Sequence, residues 1–155
     1  MDSLSRNISS QIRLIGSVRV EVHHDDGRTE AYTQPNMIVN GGRDRIAALF
    51  AQQSTTFPTH LEVGTGTTAP TGTDTTLETA VLRNAVVSSS ALNGVTSIKA
   101  YFSKTDANGS AISEVGLFDQ SSGGTMFARS ILGSVVNKDA TIAMTITWTF
   151  TFADS

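Results

Sequence analysis

The C-terminal part of the chain has the clearest periodic pattern of apolar and polar positions. Between positions 142 and 152 every even residue is large and apolar, while the odd residues are threonine apart from Ala143. A period of two is typical of a β-strand with one buried face, and at about 3.3 Å per residue this strand spans about 40 Å. The threonine face is neither charged nor apolar, so we expect another subunit to cover part of it or the strand's free edge. Its candidate interface residues are Thr145, Thr147 and Thr149.

A second alternating stretch, residues 11–24, predicts a long first strand with one wet face. The sequence Asp-Asp-Gly-Arg that follows is a turn signal, and residues 29–33 can return as the second strand of a hairpin. Gly16 lies in the middle of the first strand. A glycine there indicates a bulge or the close approach of another group.

Helical spacing occurs at residues 41–53, where we expect the one short α-helix of the chain. Asn40 is placed to cap its N-terminus. Gly41 and Gly42 weaken the start of the helix and indicate that another backbone passes close by.

The rest of the chain consists of short apolar stretches separated by Asn-Gly and Gly-Gly turns. This spacing predicts a mainly β fold, an antiparallel β-sandwich that is jelly-roll-like and carries the one helix. A polar, glycine-rich loop covers residues 64–74, and the capping-box spacing of Thr75 and Glu78 predicts a turn of helix after it. We expect a flexible arm over residues 1–10, able to order on a partner through Leu4 and Ile8, and a single domain over residues 11–155.

Composition narrows the classes of partner. Charged residues make up 16% of the chain and the net charge is −3, so there is no basic patch suited to nucleic acid or to an anionic membrane. The absence of cysteine excludes disulfides, thiolate metal sites and cysteine nucleophiles. No apolar leader segment follows the first residues, which predicts synthesis and assembly in the cytoplasm.

Candidates for catalysis are weak, and we expect no enzyme activity and no cofactor. The run from His23 to Asp26 is the only cluster of metal-type ligands, but adjacent strand residues point to opposite faces, so a turn is the better interpretation. The loop at 64–74 lacks the Gly-Lys-Ser/Thr ending of a phosphate-binding loop, and no Gly-x-Ser-x-Gly motif occurs. A sugar-binding β-sandwich and a hydrolase remain as weaker alternatives.

Two ordered motifs resemble the tail-fibre and tail-collar attachment domains of tailed bacteriophages. The first joins residues 61–66 (LEVGTG) to 74–78 (DTTLE), and the second joins residues 112–119 (ISEVGLFD) to 124–129 (GTMFAR). The segment at 36–50, with its Asn-Gly-Gly and amphipathic helix, fits the pattern that precedes them. The resemblance covers residues 36–152.

This resemblance implies a non-enzymatic structural protein of a tailed-phage virion, assembled in the host bacterial cytoplasm. Its partners would be copies of itself and other virion proteins of the tail, baseplate or capsid, most closely as a tail, collar or fibre-attachment subunit. Capsid decoration or a head-spike base is an alternative, and a module that binds carbohydrate on the host surface is another. Glu114 would bond a neighbouring loop or Arg129, unless it is simply solvated, and both residues are candidate interface residues.

Overall fold

The computed structural model of the protein describes residues 11–154. The arm at residues 1–10, with its candidate contacts Leu4 and Ile8, lies outside the described residues, so those predictions stay predictions. The described residues form nine strands and one helix, namely β1 (Ile12–His24), β2 (Thr29–Pro35), β3 (Met37–Ile38), α1 (Asn40–Phe50), β4 (His60–Gly64), β5 (Ala80–Leu92), β6 (Val95–Phe102), β7 (Ala111–Phe118), β8 (Met126–Asn137) and β9 (Ile142–Asp154).

All strands pair antiparallel in one sheet with the order β2-β1-β9-β6-β5-β4-β7-β8-β3. Strand β5 turns the sheet, because its first half pairs with β4 and its second half pairs with β6 across a register shift between Val86 and Ser88. Strand β2 also contacts β8, so the two ends of the sheet approach each other and the sheet is nearly closed. The predicted mainly β, antiparallel fold with one helix is confirmed.

Strand β9 lies at the centre of one half of the sheet. It pairs with β1 over its whole length and with β6 from Met144 to Thr151. Both edges are therefore used within the chain along that stretch, and the expectation that a free edge of this strand awaits a partner is wrong. Its threonine face is the remaining candidate surface.

The even-numbered side chains of β9 form the core, as their period predicts. Trp148 is fully buried and lies opposite Val18 of β1 and Ile98 of β6. Full burial of each large apolar side chain contributes about 1.5–3 kcal/mol. The apolar face of β1 thus lies beside that of β9 on the inner side of the same sheet.

Glycines mark the predicted turns and one close approach. Gly27 has a φ of 84°, and the Asn93-Gly94 turn has φ values of 51° and 75°, the left-handed conformation that tight hairpins require. Gly16 lies against the side chain of Asn36, where a Cβ would overlap the amide. The close approach predicted at Gly16 is confirmed.

Helix α1 packs against β8 and ends three residues earlier than the predicted 41–53. Asn40 is not its N-cap: Val39 occupies that position, and its apolar side chain cannot make a capping hydrogen bond. The Asn40 side chain instead accepts a hydrogen bond from Arg43. Gly42 is buried against the backbone of Phe127, which a Cβ would overlap, so the predicted close backbone contact is confirmed.

The turn of helix predicted after Thr75 does not form, and β5 begins instead at Ala80. A capping box needs the glutamate carboxylate to return to the N-cap amide. Here the Glu78 carboxylate accepts hydrogen bonds from the amides of Thr67 and Thr68 across the loop, at 3.0 and 2.8 Å. The motif therefore closes a loop rather than starting a helix.

Candidate functional site

A buried carboxylate on β7 holds the long loop between β4 and β5. Oε1 of Glu114 accepts hydrogen bonds from the backbone amides of Gly66 at 3.0 Å and Thr79 at 2.8 Å, and Oε2 accepts one from the amide of Glu78 at 3.1 Å. The side chain of Glu114 is fully buried. The backbone amides at both ends of this loop have no partner in a strand or helix. One carboxylate therefore accepts their hydrogen bonds.

Arg129 on the adjacent strand β8 completes this arrangement, which we call the loop latch (Glu114, Arg129 and the loop at 65–79). Its Nε and one terminal nitrogen donate to Oε2 of Glu114 at 3.0 and 2.8 Å. The guanidinium also donates to the Asp74 carboxylate at 2.8 Å and to the Thr68 carbonyl at 3.0 Å. Glu114 thus bonds both the loop and Arg129, as predicted, and the solvated alternative is wrong.

The glycines of the two motifs make room for the latch. A Cβ at Gly64 or Gly66 would overlap the Glu114 side chain. A Cβ at Gly116 would lie 2.9 Å from the side chains of Leu77 and Phe118. Packing around one buried acid therefore explains Gly64 and Gly66, and packing against Leu77 and Phe118 explains Gly116.

Burial and hydrogen bonds shift the pKa values of three groups in the latch. Burial alone would raise the pKa of Asp74, but hydrogen bonds from Thr71 and Arg129 outweigh it and lower the pKa below its ordinary value of 3.8. Burial alone would lower the pKa of Arg129, but its bonds to Asp74 and Glu114 raise it instead. Hydrogen bonds from Thr68 lower the pKa of Glu78 below 4.5. The ionised forms are the ones that the folded loop stabilises.

We expect the loop to loosen only in acid. Because the folded-state pKa values of Asp74 and Glu78 are depressed, their stabilisation is fully present above the ordinary values of 3.8 and 4.5 and is lost as the pH falls through the lower folded-state values. The NMR amide signals of Thr67, Thr68 and Thr71 should stay fixed from neutral pH down to this range and then move together. In E78Q the Thr67 and Thr68 signals should differ already at neutral pH, while Thr71 still titrates with Asp74. Movement of the wild-type signals near neutral pH would contradict this assignment.

The second feature is the threonine face of β9, which lies on the outer side of the sheet. Thr145, Thr147 and Thr149 are each half-buried. Thr147 lies directly between Arg19 of β1 and Lys99 of β6. The neighbours of Thr149 on the same two strands are serines, Ser17 and Ser97.

The two adjacent histidines diverge, as strand geometry predicts. His23 lies on the threonine face, with Nε2 3.0 Å from Oγ1 of Thr145. His24 points to the other side, where Nε2 is 3.4 Å from the Glu30 carboxylate. Within residues 11–154, no group of three or more His, Cys, Asp or Glu side chains is placed to hold a metal ion. That part of the chain also contains no helix with the length and apolar character needed to cross a membrane.

The structure brings together some of the predicted site residues and separates others. Glu114 and Arg129 are in direct contact, but three strands of the sheet, β6, β5 and β4, lie between the threonine face and β7. The sequence does not single out Asp74 and Glu78 as partners of Arg129. The spacing of Glu78 after Thr75 is a signal for a structural role, although it predicts a helix start.

Both acids are engaged within the latch, which lends no support to a sugar-binding loop.

The comparisons with known proteins identify a family for this chain. A family model described as podophage GP4 fiber I protein gp80 matches residues 42–147, which is more than half of the chain. The match begins in helix α1, includes the whole latch and ends within β9. No curated protein and no solved structure shows significant similarity to the chain. The chain therefore belongs to the gp80 family of podophage fibre proteins.

Proposed function

We propose that the protein is a non-enzymatic structural subunit in the tail-fibre or fibre-attachment region of a phage virion. It works through contacts with copies of itself and with other virion proteins, after assembly in the host bacterial cytoplasm. The observation that carries this proposal is the family match over residues 42–147, which spans the latch and ends within the central strand β9.

The threonine face supports a role in assembly. Its hydroxyl groups can both donate and accept hydrogen bonds, so the same surface on two copies can be complementary to itself. Arg19 and Lys99 flank the row at Thr147 and give its middle a basic border. A second copy of the same row of hydroxyl groups fits this surface. Thr145, Thr147 and Thr149 are the residues we assign to the contact.

Glu114 and Arg129 would serve assembly indirectly. These residues are 0% and 3% exposed, so a neighbouring protein cannot reach them while the loop is in place. They fix instead the shape of the loop at 65–79, whose outer side chains are exposed. A neighbour would recognise the loop that the latch presents.

Quantitative mass spectrometry of purified particles tests the proposed location. We expect the protein in every particle, in a fixed ratio close to that of the tail and fibre proteins. A copy number close to that of the major capsid protein would indicate capsid decoration and contradict the fibre placement. Absence from purified particles would contradict a structural role altogether.

A further inference from the structure

An apolar groove lies between the second half of α1 and one end of the sheet. We call it the end groove, lined by Ile46 and Leu49 of the helix, Pro58 of the following loop, and Phe150 and Phe152 of β9. Its volume is about 220 Å³. Pockets for small-molecule ligands measure roughly 300–1,000 Å³. The end groove therefore has room for one or two aliphatic side chains rather than for a cofactor.

Two large apolar side chains that line the end groove are exposed, Phe50 at 82% and Phe152 at 37%. Phe57, which directly precedes the lining residue Pro58, is 61% exposed. Isolated apolar residues on a surface are ordinary, but exposed phenylalanines that line an apolar groove indicate a surface that is covered. A short segment with a few apolar side chains would suit it.

Residues 1–10 of the same chain precede β1 at this end of the sheet. Leu14 of β1 lies opposite Phe152, which lines the groove. Ile12 is on the same side of β1 as Leu14 and is 74% exposed. The two large aliphatic residues of the preceding segment, Ile8 and Leu4, are also even-numbered. An extended chain would therefore carry Leu4, Ile8, Ile12 and Leu14 on one side.

We propose that residues 4–8 of the chain's own arm lie across the end groove, with Leu4 and Ile8 seated in it. Leu4 precedes Ile12 by eight positions, a reach of about 26 Å in extended chain. Helix α1, with 11 residues, is about 16 Å long. The arm is therefore long enough to cross the groove.

The same chain is the expected source of the segment because it is tethered beside the groove. A short tether gives an effective concentration on the order of millimolar, which exceeds that of a free copy of the arm in dilute solution. This contact is separate from the threonine face on the outer side of the sheet. It can therefore hold or fail independently of the proposed assembly.

Disulfide cross-linking tests the proposal. The chain contains no cysteine of its own, so only the introduced cysteines can form disulfides. One variant combines Leu4→Cys with Leu49→Cys. A second combines Ile8→Cys with Phe50→Cys. Because Phe50 is exposed on the helix, its replacement should not affect folding. The matched control pairs Leu4→Cys with Ile15→Cys, an exposed position on the opposite face of β1 that lies within the same reach of the arm. The full-length proteins are oxidised in dilute solution and separated on non-reducing gels.

We expect a cross-link within one chain in both groove pairs, formed roughly tenfold or more faster than in the control. Disulfide-linked dimers in place of the internal cross-link would show that the arm docks on a second copy and would overturn the proposal. Free thiols in both groove pairs, or an equal rate in the control, would overturn it as well.

Discussion

Replacing Glu114 with alanine is expected to lower the free energy of unfolding by about 3–5 kcal/mol, the cost of removing one partner of a buried ion pair. The substitution leaves the Arg129 guanidinium buried without its main partner. It also removes the acceptor for three backbone amides at the two ends of the loop. Urea unfolding measures the effect through the fluorescence of Trp148, the single tryptophan, which lies in the core.

Two comparison variants separate the latch from an ordinary ion pair. Glu21→Ala breaks the exposed pair with Arg19 and should change stability by less than about 1 kcal/mol. The double variant Glu114→Leu with Arg129→Met removes both charges. In many proteins such a replacement restores stability. Here it should not, because the amides of the loop still lack an acceptor, and full recovery would show that Glu114 does not organise the loop.

Introducing glutamate at both Thr147 and Thr149 is expected to block self-association while the subunit stays folded. Each carboxylate would have to be buried in the contact. A penalty of roughly 3 kcal/mol weakens association by about a hundredfold. In the free subunit the new carboxylate at position 147 would lie between Arg19 and Lys99, a favourable cross-strand arrangement. A lysine at the same position would be a poorer probe, because it would meet like charges on both sides.

The control for this variant places the same charges away from the sheet. Ser121 and Ser122 lie in the exposed turn after β7. Glutamate at these two positions should leave both folding and association unchanged. Circular dichroism and the urea midpoint verify that the Thr147 and Thr149 variant is folded. If it unfolds, the threonine face is needed by the subunit itself.

The strands follow from the sequence because their side chains alternate locally. A period of two at residues 142–152 and again at 11–24 requires no knowledge of distant parts of the chain. The pairing of those strands with their neighbours, in contrast, depends on residues far away in the sequence. The expectation of a free edge on β9 fails because β6, some forty residues upstream, pairs along it, and no property of the β9 sequence specifies that neighbour.

The candidate site, like the fold, could be predicted from the sequence only in part. The resemblance of residues 112–119 and 124–129 to a known motif predicts that Glu114 bonds a neighbouring loop or Arg129, and the structure shows that it bonds both. The helix start predicted from Thr75 and Glu78 does not form, although their spacing is that of a capping box. The Glu78 carboxylate binds amides ten and eleven residues earlier in the loop instead, and the local spacing carries no sign of those partners. The end groove has no sequence signal because it forms only where α1 meets the inner face of β9.

Sedimentation equilibrium of the wild type beside the variant with glutamate at Thr147 and Thr149 tests the central claim most directly. The claim is that copies of this subunit meet through the threonine face of β9. We expect the wild type to show a mass that rises with concentration above the 16.4 kDa of one chain, while the variant stays at 16.4 kDa throughout. A wild type that remains at 16.4 kDa at every concentration, or a variant that associates as the wild type does, would contradict the claim.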